Sequence, residues 1–118
     1  MSEVVTIAEK ILEANENLDQ MRAHIKTRSE EKAKSIANYD KLLALTMIQL
    51  RNGKEMIFEG ETIKDPPTTI IEKIAKGMCW KERLAMDQAE AEYKSLITNI
   101  ETLKAQLNGY QSINRHLD

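Results

Sequence analysis

From Val4 onward, apolar residues recur at Ile7, Ile11, Ala14, Leu18, Met21 and Ile25, in steps that alternate three and four. That spacing is a heptad seam along one side of an α-helix. Continued in register, the seam meets Arg28, Lys32 and Ser35, and apolar residues return one position later at Ile36, Tyr39, Leu43, Met47 and Leu50. Either the register shifts within one helix or the helix breaks. Thr27-Arg28-Ser29-Glu30 matches a capping box and would mark a break. The Glu, Lys and Ala that fill the stretch propagate helix well and favour continuity. With no Gly or Pro before Arg51, the pattern predicts one long helix over residues 2–51, entered at Ser2 and Glu3 and stopped at Asn52-Gly53. A helix of that length spans about 75 Å and must pair lengthwise with another element.

A second seam runs through Met86, Ala89, Tyr93, Leu96, Ile100, Leu103, Leu107, Tyr110 and Leu117, and only Asn114 interrupts it. It predicts a long helix over 79–116 that carries through Asn108-Gly109. A polar residue at such a position sets register at some cost in stability. Between the two helices lies a linker, 52–67. Met56, Ile57 and Phe58, then Thr62 and Ile63, have strand character on either side of Glu59-Gly60-Glu61. A hairpin there could be stable only against a helix. After Asp65-Pro66-Pro67, the apolar face of Ile70, Ile71, Ile74 and Ala75 predicts a short helix over 68–76, closed by Gly77. The expected fold is all-α. Two long helices form an antiparallel coiled-coil hairpin, with the short helix and small β-hairpin in the linker, in one domain over residues 1–118. Leu12, Leu42, Leu45, Ile48, Leu84 and Ile97 flank the seams and widen their apolar faces, as in bundles of three or more helices.

Composition narrows the class. Of 118 residues, 31% are charged and 4% aromatic, with four glycines and two prolines, which suits long helices and argues against an all-β domain. The net charge of −2 fits neither a generic nucleic-acid binder nor an acidic DNA mimic. The charge is uneven, however. Residues 1–21 carry one Lys against five acids, whereas residues 22–41 carry six Lys or Arg against three acids. The basic band is a solvated helix face, or else a phosphate-contacting one through Arg22, Lys26, Arg28, Lys32 and Lys34. A second, smaller set is Lys73, Lys76, Lys81 and Arg83. The single cysteine, Cys79, excludes an intramolecular disulfide and a thiolate zinc cluster, and reads as a small buried residue in a reducing compartment. The longest largely apolar run, Leu42 to Leu50, is too short to span a membrane. A cytoplasmic protein is expected.

No motif carries catalytic chemistry. The chain lacks a P-loop, a dinucleotide-binding glycine pattern and a nucleophile elbow. His24 and His116 are the only histidines and form no i, i+4 pair, and Glu90 and Glu92 start no Glu-x-x-His pair. No enzyme activity, cofactor or metal is expected. Trp80 reads as a staple between the short and the last helix, or as an interface anchor. Tyr39, Tyr93 and Tyr110 read as seam packing.

The order of elements resembles a known group. A Lys/Glu/Ala-rich helix is followed by a Gly- and Pro-marked linker, the segment Ile70 to Gly77, Ala89-Glu90-Ala91-Glu92-Tyr93-Lys94, and the ending Leu107-Asn108-Gly109-Tyr110-Gln111-Ser112-Ile113. Together these resemble small uncharacterised helical proteins of phages and prophages, encoded in early-region clusters beside recombination or single-strand-binding genes. The linker from Lys54 to Lys64 is longer here. The mid-chain Asn52-Gly53 lacks the Trp-x-Gly of secreted WXG-type hairpins, which the chain resembles less. The resemblance implies no catalytic residues. It implies a non-enzymatic protein acting through protein–protein interaction or self-assembly, as an accessory to phage DNA recombination or replication or as a modulator of a host enzyme, in the host cytoplasm. The expected partners are further copies of the chain and another protein, with no membrane. The expected interface is Trp80, Tyr93, Leu96, Ile100, Leu103, Leu107 and Tyr110. Single-stranded nucleic acid bound at the basic band is the alternative.

Overall fold

In the computed structural model, which describes residues 3–117, the chain runs α1 (Glu3–Arg51), β1 (Met56–Phe58), β2 (Glu61–Ile63), a 3-10 turn (Thr68–Ile70), α2 (Ile71–Met78) and α3 (Trp80–Leu117). The expected all-α hairpin is present, small β-hairpin included. The helix entry read at Ser2 lies outside the described residues. Contacts divide the chain into two compact units, the described parts of Met1–Glu30 with Ala91–Asp118, and Glu31–Glu90.

In the first unit, the start of α1 lies antiparallel to the end of α3. Lys10 Nζ sits over the Tyr110 ring, 5.9 Å from its centroid, and Arg28 Nη1 meets Glu92 Oε2 at 2.9 Å. Rising numbers on α1 thus meet falling numbers on α3. Ala14, Leu18 and Ile100 are buried, and Ile7, Ile11, Met21 and Ile25 are half-buried with Tyr93, Leu96, Leu103, Leu107, Tyr110 and Leu117. Both seams are therefore used within the chain. Asn114 occupies its seam position half-buried, while Ile113 beside it is exposed.

The second unit is built on the end of α1. Gly53 has φ +77°, Lys54 N–H donates to the Gln49 carbonyl at 3.0 Å, and Gly53 N–H to Leu50 at 3.2 Å. These two bonds are the Schellman stop, which needs the left-handed residue that glycine supplies. The chain then forms β1 and β2, paired Met56↔Ile63, Ile57↔Thr62 and Phe58↔Glu61 around a two-residue turn. Glu59 and Gly60 both have positive φ, 52° and 79°, as a type I′ turn requires. The turn is one residue shorter than the Glu59-Gly60-Glu61 reading. One face of the ribbon carries Met56, Phe58 and Ile63 with Glu61. Met56 and Ile63 pack with Leu43, Met47, Ile74 and Met78 around Leu50, Ile71 and Ala75. That supplies the support a lone hairpin lacks. The short helix begins later than its sequence reading, because Thr68–Ile70 is 3-10 and α2 continues to Met78.

The structure corrects the reading of α1 at its middle. The helix runs unbroken through Thr27 and Glu30, so no capping box forms there. The register does not shift before Tyr39; beyond it the shifted positions Leu43, Met47 and Leu50 do face the core, beside Leu42, Thr46 and Gln49. Arg28 is half-buried in the first unit. In the second, Lys32 and Ser35 are half-buried, Tyr39 is buried and Ile36 is 37% exposed. Three consecutive polar residues thus hold the seam in the steps 3, 4, 3, 4. Long basic side chains can do so because their stems cover apolar surface while the charged ends reach water. Ser35 satisfies its hydroxyl locally, donating to the Lys32 carbonyl at 2.8 Å.

Candidate functional site

Heptad spacing places Tyr93, Leu96, Ile100, Leu103, Leu107 and Tyr110 on one side of α3. In the first unit that side is turned into the intrachain seam, with Ile100 buried and the other five half-buried. Trp80 does not join them. It is 44% exposed. The joint between α2 and α3 is packed by Cys79, which is almost fully buried and lies 3.7 Å from Thr46 Oγ1. Thr46, also buried, donates its hydroxyl to the Leu42 carbonyl at 2.8 Å. Consecutive helical residues point about 100° apart, so burying Cys79 turns Trp80 outward. The seam of α3, extended backward from Met86 in steps of four and three, reaches Glu82 and Cys79. That phase signal was present in the sequence.

The five residues of the basic band do not form one free face. Arg22, Lys26 and Lys34 are exposed, whereas Arg28 and Lys32 lie half-buried at seam positions. Arg28 is bound to Glu92, and Lys26 approaches Glu30 at 4.0 Å. Beside the Arg28–Glu92 pair, Ala91, Ser95, Leu96 and Asn99 line an open groove of ≈ 410 Å³. Its polar groups are common surface types.

The most distinctive surface feature is uncovered apolar area. Among the described residues eight hydrophobic side chains are buried, three of them only Ala or Cys, and eleven large ones are exposed. In the second unit, α1 packs Leu43, Met47 and Leu50 against the ribbon and α2. Leu45 and Ile48, which helical spacing puts on a different side of α1, are 46% and 53% exposed. Ile57 projects from the outer face of the ribbon at 74% exposure. In the first unit, Leu12 and Ile113 are exposed, and Ile7, Ile113 and Leu117 line an apolar cleft of ≈ 240 Å³ with Glu3 and Thr6.

His24 and His116 are both exposed, and no cluster of three or more His, Cys, Asp or Glu that could hold a metal occurs among the described residues. No described helix is long and apolar enough to cross a membrane. No protein-family model, curated protein or solved structure matches the chain.

Proposed function

We propose that this chain is a non-enzymatic helical binding protein that works by protein–protein contact, beginning with association of its own copies. One observation carries the reading: more large apolar side chains are exposed than are buried. Where exposed apolar side chains adjoin, as helical spacing lets Leu45 and Ile48 do, they mark interaction sites. The seam residues are engaged within the chain, so association uses the flanks, with Leu45 and Ile48 of α1 at its centre. On the resemblance to phage and prophage early-region proteins, the contact would be made in the host cytoplasm. There it would serve phage recombination or replication, or act on a host enzyme.

Hydroxyl-radical footprinting tests the surface. Leu45 and Ile48 should be labelled in dilute protein and protected as the concentration rises into the tens of micromolar. Equal labelling at all concentrations, with protection confined to Tyr93 through Tyr110, would show that the flanks do not associate.

A further inference from the structure

We infer that the outward face of α2 and the start of α3 is a binding site for single-stranded nucleic acid, with Trp80 as its stacking platform. The burial pattern defines the face. Ile71, Ala75 and Cys79 are buried and Glu82 and Met86 half-buried, in steps of 4, 4, 3 and 4 that run through the joint between the helices. Cys79 N–H donates to the Ala75 carbonyl and Arg83 N–H to the Cys79 carbonyl, at 3.1 and 3.0 Å, which keeps the helical phase across that joint. Lys73, Lys76, Trp80, Arg83 and Leu84 recur on the other side in the matching rhythm, and all five are exposed.

Four cations, Lys73, Lys76, Lys81 and Arg83, therefore lie on or beside the face that carries the one tryptophan of the chain. Lys81 Nζ lies 5.6 Å from the Trp80 ring centroid. Two of the cations have acidic neighbours on their own helix, Lys76 with Glu72 at 3.0 Å and Arg83 with Asp87 at 4.0 Å. Exposed pairs of this spacing are weak and exchange readily for a phosphate. From Lys73 to Arg83 the face extends about 15 Å along the helix.

An exposed ring among cations answers the two general features of a single strand, a flat base and a charged backbone. Leu84, one turn on, is the one large apolar side chain that shares this face, and the rest of it is Lys and Arg, whereas an apolar protein anchor would be ringed by further apolar contacts. A membrane surface would call for a broad apolar helix face, but the apolar side of α2 is already buried around Ile71 and Ala75. This face differs from both the basic band of α1 and the Leu45–Ile48 flank.

With a single tryptophan, intrinsic fluorescence reports directly on the site. Full-length protein titrated with oligo(dT) at low salt should show saturable quenching. The affinity should fall with salt with a log–log slope approaching about −3, as four phosphate contacts on a single strand require. Lys73→Glu with Arg83→Glu should weaken binding by more than about tenfold, and loss of the stacked base in Trp80→Leu by about tenfold, read by anisotropy of labelled oligonucleotide. Replacing Arg22, Lys26 and Lys34 together should change affinity less than about twofold, since they lie outside the site. All substituted residues are exposed, and unchanged circular dichroism would verify the folds. No quenching and no anisotropy change at low salt would overturn the proposal. So would equal losses from the α1 triple variant, or a blue shift with anionic phosphatidylglycerol vesicles without a response to oligonucleotide.

Discussion

Ser35→Leu and Ile36→Lys form a pair of opposite tests of the middle of α1. Ser35 is half-buried on the seam and its hydroxyl is bonded only within its own helix, to the Lys32 carbonyl. Replacing it leaves no buried partner without its bond. Full burial of a leucine is worth roughly 1.5–3 kcal/mol, so a half-buried one should contribute about 1 kcal/mol, with a few tenths more from helix propensity. For a chain of this size that raises the melting temperature by roughly 4 °C. Ile36 lies one position off the seam and is exposed, so Ile36→Lys should cost less than about 1 kcal/mol. Had the seam slipped by one residue, the order would reverse. Ile36 would be a core position whose loss costs about 2–5 kcal/mol, and a leucine at 35 would face water and add nothing. Urea denaturation followed by circular dichroism at 222 nm measures both, with an unchanged m-value as the check on comparability. A destabilised Ser35→Leu together with an Ile36→Lys loss above about 2 kcal/mol would refute the continuous register.

Three further substitutions probe the second unit. Leu50→Ala, at a side chain only 2% exposed in the core around Ile71 and Ala75, should cost about 2–5 kcal/mol in the same urea titration. Glu59→Asn should stabilise by roughly 0.5–1 kcal/mol, because Asn-Gly accepts the two positive φ angles of the type I′ turn more readily than Glu-Gly. A lowered denaturation midpoint would contradict that turn assignment. Gly53→Ala should cost at least about 1 kcal/mol of stability, since φ is +77° and the new Cβ would lie 2.9 Å from Asp65 Oδ1. A neutral result would show that the stop of α1 is not held in this geometry.

The parts of the fold that were legible in the sequence are those with a strict period. The α3 seam from Met86 to Tyr110 appears on the buried or half-buried side without exception, and Asn52-Gly53 stops α1 with the bonds its residue types imply. The middle of α1 was harder because a polarity rule competed with a spacing rule. Ile36 looked like the next seam residue only because Arg28, Lys32 and Ser35 looked too polar for it. As far as Tyr39 the spacing prevailed, since long basic side chains can occupy a two-helix seam with their ends in water, and only beyond it do the shifted positions Leu43, Met47 and Leu50 enter the core. The surface was less legible still. Nearness in sequence made a band of Arg22 through Lys34, but helical geometry sends its members to different sides of α1 and turns two of them inward. Conversely, residue type left Trp80 open as a staple or an interface anchor, and its phase relative to Cys79 and Met86 leaves it 44% exposed. Residue type indicated burial in these cases, and helical phase decided it.

Static light scattering of the purified chain, from one to one hundred micromolar, tests the proposed association most directly. The wild-type protein should show a mass at least twice the 13.5 kDa of one chain, rising with concentration, and Leu45→Glu with Ile48→Glu should return it to the single-chain mass with its helix content intact. A wild-type mass of one chain throughout that range would contradict self-association. An oligomer unaffected by the double substitution would contradict its location on the Leu45–Ile48 flank.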